Sequence, residues 1–114
     1  MLQRQDAKSL ALFRAIQAKL SSSDISDRSA YLAEAKQWAE ESYQEQPNCV
    51  YLLEWADRIA DALSSEGGLA GLYEFMLSPE QHAIDMRSSS PFPGVLTTKE
   101  RTEALLAFQR EWVG

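Results

Sequence analysis

The feature that most constrains the fold is the wide apolar side of residues 48–68. At 100° per residue, the apolar side chains of this stretch cover about half of a helix circumference. They are Leu52, Leu53, Trp55, Ala56, Ile59, Ala60, Ala62 and Leu63. A helix with so wide an apolar arc needs neighbours on more than one flank. The pattern therefore predicts a central helix at about 49–66, with Leu52, Trp55, Ile59 and Leu63 among the most buried residues.

Local signals set the expected ends of this helix. Asn48 is a residue type that caps a helix start by accepting a hydrogen bond from a free backbone N–H. Gly67 or Gly68 is expected to end the helix in the left-handed conformation. Pro47 ends the preceding helical pattern, and the connection at Pro47–Asn48 is so short that the two helices are expected to form an antiparallel hairpin.

Further helical patterns occur on both sides of the central stretch. The spacing of apolar residues predicts helices near 3–20, 26–46, 79–87 and 98–112, with a short apolar helical segment at 69–77. Ser78–Pro79 is a favourable helix start, and Thr97 with Glu100 matches a capping box. No segment shows strand-like alternation. The predicted fold class is all-α, a single small domain over 1–114 built as a hairpin or bundle of five to six helices.

The hairpin also carries one family resemblance. Ala35, Pro47–Asn48 and the Trp55–Ala56 pair are spaced in a way that resembles the B-to-A junction of a tetratricopeptide repeat. That family repeats every 34 residues, and the chain contains no second copy at this period. The resemblance therefore implies a shared helical-hairpin geometry and not family membership.

Composition limits the classes of function. The chain has one cysteine, Cys49, so an intramolecular disulfide is excluded and a reducing, cytoplasmic location fits best. No apolar run is long enough for a membrane span. The net charge of −6 disfavours broad affinity for nucleic acids or anionic membranes, although four basic residues against one acid make residues 1–20 basic.

The residues that could carry chemistry are few. One Cys and one His cannot supply the three or four ligands of a zinc site, and no phosphate-binding loop is present, so no metal, cofactor or catalytic residues are predicted. A small hydrolase that uses His82 oriented by Asp85 is the third hypothesis. Cys49 lies near a helix start and is interpreted as a small residue of the hairpin, with a reactive thiol as the alternative.

The sequence favours a non-enzymatic module that binds another protein as an accessory subunit, regulator or inhibitor. Homo-oligomerisation is also compatible with it. Phe92, in a stiff Ser/Pro loop, is the predicted anchor, with a core plug as the alternative. Acidic outer faces are predicted to steer a basic partner: Glu41, Glu45, Asp57 and Asp61.

The second hypothesis is a nucleic-acid-associated regulator using Arg4, Lys8 and Lys19. Trp38, Trp55 and Trp112 are expected in the core.

Overall fold

The computed structural model describes residues 3–92 and 94–112. Within these ranges it contains helices and no strand, which confirms the all-α prediction. The helices are α1 (Arg4–Ser22), α2 (Ile25–Glu45), α3 (Val50–Ser64), α4 (Glu66–Met76), α5 (Gln81–Arg87) and α6 (Thr98–Glu111). No helix in the described part of the chain has the length and apolar character that crossing a bilayer requires.

Helices α2 and α3 form the predicted hairpin and pack together over more residues than any other pair of helices in the described chain. The α2 start is fixed by Asp24, whose side chain accepts a hydrogen bond of 2.8 Å from the Asp27 backbone N–H. The prediction that Asn48 caps α3 is wrong. Cys49 occupies the N-cap position and makes no side-chain capping bond, because the chain enters the helix one residue later than expected.

Helix α3 lies at the centre of the core, as its wide apolar arc predicts. Trp55 and Ile59 are both 0% exposed. The Trp55 ring stacks on Phe13 of α1 at 5.6 Å between centroids and meets the Phe92 ring edge-on at 5.4 Å. Its indole N–H donates to the Met86 carbonyl oxygen of α5 at 2.8 Å. One side chain of α3 thus joins α1, α5 and the loop that follows α5.

The C-terminal end of α3 differs from the prediction. No described glycine has a positive φ, and α3 ends at Ser64 rather than at a left-handed glycine. Ser65 is extended, and its hydroxyl accepts a hydrogen bond of 2.9 Å from the Gly68 backbone N–H, which caps α4. Gly68 is needed for a different reason. A Cβ at this position would overlap the Asp61 carbonyl group, so only glycine allows α4 to approach α3 this closely.

Two leucines predicted for the α3 interface are also more exposed than expected. Leu63 and Leu53 keep 39% and 40% of their surface, whereas Leu52 keeps 3%. The apolar arc of α3 is wider than the surface that its neighbouring helices cover, so residues at the edges of the arc remain in contact with solvent. The prediction that Leu63 is among the most buried residues is therefore wrong.

The N-termini of α5 and α6 differ in their side-chain capping. Helix α5 starts at Gln81, two residues after the predicted Pro79, because the Ser78 hydroxyl accepts from the Glu80 N–H in a turn and does not cap the helix. The capping box of α6 is confirmed: Thr97 N–H donates to the Glu100 carboxylate at 2.8 Å and Glu100 N–H donates to the Thr97 hydroxyl at 3.1 Å. Helix α6 packs along α1 and contributes no buried residue.

Candidate functional site

A groove of about 270 Å³ runs between α2 and the loop that follows α5. The side of α2 that borders it carries Tyr31, Glu34, Trp38 and Glu41, and the loop contributes Pro91 and Val95. We call this feature the α2 groove. Residues 34, 38 and 41 are spaced by four and three positions, which places them on one side of the helix. The groove therefore combines aromatic and acidic side chains along a single stripe.

Trp38 is the main apolar side chain at this groove. It was expected in the core, yet 43% of its surface is exposed, so that prediction is wrong. The contact of α2 with its neighbours is made by Leu32, Ala35 and Ala39, which are at most 4% exposed. Trp38 lies at the flank of this row, where it is only partly covered. Exposed tryptophans of this kind are over-represented among residues that dominate binding energies at protein interfaces.

The charges around the groove are mainly negative. Glu34, Glu41 and Glu45 are exposed on α2, and Glu41 accepts a hydrogen bond of 2.9 Å from Gln37. Glu40 is paired with Lys36 at 3.0 Å, one turn away. The structure thus places Glu41 beside Trp38, and Glu45 follows on the next turn of the same side.

The acidic residues predicted on α3 belong to another part of the surface. Asp57 and Asp61 are exposed and lie one turn apart on α3. Neither lines the α2 groove. The four acidic residues predicted to steer a partner are therefore divided between two helices, and of the four only Glu41 lines the α2 groove with Trp38.

Phe92 is not on the surface. It is 1% exposed and packs edge-on against Phe13 at 5.8 Å and Trp55 at 5.4 Å. The expectation of an exposed anchor at Phe92 is corrected: the aromatic ring fixes the loop to the core. Cys49 adds a second link, since its Sγ lies 3.6 Å from the Ser89 hydroxyl of the same loop. The loop is held in place, which gives the α2 groove a fixed wall.

The basic residues of α1 are partly engaged within the fold. Lys19 Nζ donates to the Glu100 carboxylate at 2.6 Å and lies 5.1 Å from the centroid of the Tyr31 ring. The hydrogen bond to Glu100 raises the pKa of Lys19, against the opposing effect of burial. The Arg4 guanidinium lies 5.5 Å from the Phe108 ring centroid. Lys8 lines a different cavity. The nucleic-acid hypothesis stays a prediction, and these contacts do not add support to it.

His82 contacts Glu54 rather than the predicted Asp85. Its Nε2 lies 2.8 and 2.9 Å from the two Glu54 carboxylate oxygens, while Asp85 accepts from Gln81. Arg58 also pairs with Glu54 at 2.9 Å. Burial raises the pKa of Glu54, but the hydrogen bonds from His82 and Arg58 outweigh this effect and lower it. The arrangement ties α5 to α3. No group of three or more potential metal-ligating side chains occurs among the described residues.

Arg87 is the residue that sequence reasoning missed. It is 3% exposed, and its Nη1 donates to the carbonyl oxygens of Met76 and Ser78 at 3.0 and 2.9 Å. Burial lowers the pKa of this guanidinium, and the charge of Asp6 opposes the effect. A sequence signal for the burial exists. Arg87 follows Ala83 by four residues, which puts it on the same side of α5 as a side chain that is 1% exposed.

Searches of protein-family models, of curated proteins and of solved structures gave no match to this chain. Function is therefore inferred from the geometry of the chain itself.

Proposed function

We propose that the chain is a non-enzymatic protein-interaction module that binds a partner protein through the α2 groove and acts as its accessory subunit, regulator or inhibitor. The observation that supports this role is Trp38, 43% exposed beside a groove with a fixed wall. A rigid aromatic side chain gives a large contact area at a low cost in conformational entropy.

The groove is large enough for a side chain of a protein partner. Pockets that enclose small organic ligands usually have volumes of roughly 300–1,000 Å³. The α2 groove, at about 270 Å³, is close to the lower end of this range. We infer that it accepts one apolar or aromatic side chain presented by a folded partner or a bound peptide.

The charges around the groove define the chemistry of the partner. Glu34 and Glu41 border the same groove as Trp38, and the chain as a whole carries a net charge of −6. Such a surface attracts a segment that carries Lys or Arg on both sides of an apolar side chain. The carboxylates would raise the association rate, and the contact with Trp38 would set the lifetime of the complex.

Affinity capture from the native lysate tests this role with three forms of the protein. Wild type and Leu106→Ala should retain the same partner, and Trp38→Ala should lose it, because an anchor residue contributes about 2 kcal/mol or more, or roughly thirtyfold in Kd. Leu106 is the matched control, since it is 52% exposed on α6, away from the groove. Thermal unfolding should stay within a few degrees in both variants.

With the partner in hand, the charges are tested separately. Glu34→Lys combined with Glu41→Lys should slow association, and this loss should shrink as salt is raised. Equal retention by wild type and Trp38→Ala, or no retained protein at all, would contradict the proposed role. Retention that depends on Leu106 instead would move the interface to α6.

A further inference from the structure

Trp38 is shared by two cavities. Besides the α2 groove, it lines a cavity of about 460 Å³ between α1, α5 and the loop after α5, which we call the α1 cavity. The loop borders both of them: Pro91 lines the α2 groove, and its neighbours Ser90 and Phe92 line the α1 cavity. A segment of a partner that covers Trp38 from the α2 groove therefore lies next to the α1 cavity as well.

The two cavities carry charges of opposite sign. Glu34 and Glu41 line the α2 groove, and no basic side chain among the described residues joins them. Lys8 and Arg101 line the α1 cavity. Neither of these two cations belongs to an ion pair within the part of the chain that the structure describes. Their charges are therefore available to a ligand, as are those of the two carboxylates.

The α1 cavity also contains Asp6 and Arg87. Arg87 is 3% exposed and donates to two backbone carbonyl oxygens, so its side chain is part of the core rather than of the binding surface. Burial lowers the pKa of this guanidinium, and the charge of Asp6 opposes the effect. Three basic side chains against one acid leave the lining with an excess of two positive charges, and Lys8 and Arg101 are the two that a ligand can reach.

The polar part of the α1 cavity suits a peptide. It includes Gln5, Ser9 and Ser88, whose amide and hydroxyl groups both donate and accept hydrogen bonds. A peptide backbone offers the same two kinds of group at every residue except proline. Leu12 and Leu96 supply apolar contact beside them. An extended segment of a protein therefore matches this mixture better than a purely apolar ligand does.

We propose that the α2 groove and the α1 cavity form one binding surface for a single peptide segment with opposite charges at its two ends. An apolar side chain with Lys or Arg neighbours lies in the α2 groove, next to Glu34 and Glu41. The acidic end lies in the α1 cavity, next to Lys8 and Arg101, and Trp38 contacts the segment between the two. The inference rests on the proposed role of the α2 groove and adds the order of charges in the partner.

Fluorescence anisotropy with two labelled peptides tests this order. The first, Lys-Arg-Leu-Phe-Lys-Gly-Ser-Asp-Glu-Glu, has an acidic end, and the second has Asn and Gln in place of its three acids. Each is made in both chain directions, and the tighter-binding direction is used. The acidic-ended peptide should have a Kd about three- to tenfold lower at low salt, and the difference should shrink at high salt, because partly exposed ion pairs are screened. Equal Kd values at low salt, or no binding of the acidic-ended peptide, would overturn the proposal.

Charge reversal in the protein tests the residues. Lys8→Glu combined with Arg101→Glu should weaken binding of the acidic-ended peptide about fivefold or more, and it should not weaken that of the amide-ended peptide, which remains basic. Lys99→Glu combined with Arg110→Glu is the matched control. It changes the net charge equally, but both residues are exposed on α6 and line neither cavity. Equal weakening by the two pairs would assign the effect to net charge and overturn the proposal.

Trp38→Ala separates this inference from the role on which it rests. It should weaken both peptides, because both place their apolar side chain at the α2 groove. If both peptides need Trp38 and bind equally well, the role of the α2 groove stands and its extension into the α1 cavity is wrong. If neither peptide needs Trp38, the inference and the role are both contradicted.

Discussion

Helices α3 and α6 have almost the same length, 15 and 14 residues, and very different surroundings. In α3, five residues are buried, including Trp55 and Ile59 at 0% exposure. In α6 no residue is buried, although half-buried side chains pack along α1. The comparison shows two ways of stabilising a helix of this length. Helix α3 is stabilised by packing against neighbours on several sides, and α6 by one contact face together with its capping interactions.

Besides its packing along α1, helix α6 has specific polar and aromatic contacts near both ends. The Thr97–Glu100 capping box fixes its start, and Glu100 also accepts from Lys19 of α1 at 2.6 Å. Near its other end, Phe108 packs on Trp112 with centroids 5.5 Å apart and lies under the Arg4 guanidinium. The stability of α3 should therefore respond to changes in the core, and that of α6 to changes in its cap and its ion pair.

The largest difference is expected from one apolar truncation in each helix. Ile59→Ala should lower the free energy of unfolding by about 2–5 kcal/mol, because it leaves a cavity in the core. Leu106→Ala should change it by less than about 0.5 kcal/mol, because the side chain is already 52% exposed. Urea denaturation of both variants measures the two values. Equal losses would show that α6 is as closely packed as α3.

A smaller effect is expected from the cap of α6. Thr97→Ala removes the hydroxyl that accepts the Glu100 N–H, which should cost about 1 kcal/mol, within a range of about 0.5–2 kcal/mol. Thr102→Ala is the matched control, because Thr102 is exposed within the same helix and caps nothing. Native-state hydrogen exchange should show faster opening of α6 amides in Thr97→Ala only. Thr102→Ala should cause no loss, because alanine has a higher helix propensity than threonine, so an equal loss in both variants would contradict the role of the Thr97 cap.

The smallest effect is a dependence on pH. Hydrogen bonds from Lys19 and from the Thr97 backbone lower the pKa of Glu100 to about 2, from 4.5. Because the folded-state pKa is depressed, the contribution of Glu100 is complete above about pH 4.5 and is lost as the pH falls towards 2. The urea midpoint of wild type should therefore approach that of Glu100→Gln in acid. A constant difference between pH 6 and pH 2.5 would contradict this assignment.

Local sequence signals were sufficient to predict where most of the helices lie. They did not predict which residues at the edges of the apolar arcs are buried. The capping box at Thr97 and the pairing of Glu54 with Arg58 involve residues three or four positions apart, so they were predictable. Trp38 and Phe92 show the opposite case. Their burial depends on the loop after α5 folding back onto the core, and that contact joins segments far apart in the chain.

The junctions between helices were also hard to predict, because the same residue type at a helix end can have two different structural roles that the sequence does not distinguish. Gly67 and Gly68 match a helix end, yet Gly68 is present for the close approach of two backbones. Arg87 matches a favourable cation at the last turn of α5, yet its side chain is directed into the protein interior. Neither arrangement leaves a periodic pattern, since each depends on a neighbouring segment.

The junction between α3 and α4 has a consequence for chain length. Ser65 is both the residue after α3 and the cap of α4, so no residue of this connection is spare. Each inserted or deleted residue would rotate α4 by about 100° about its axis. Leu72 and Met76, which are 1% and 0% exposed, would then leave the core. Related chains that keep this fold should therefore show no insertions or deletions here and should retain glycine at position 68, while position 67 is free to vary.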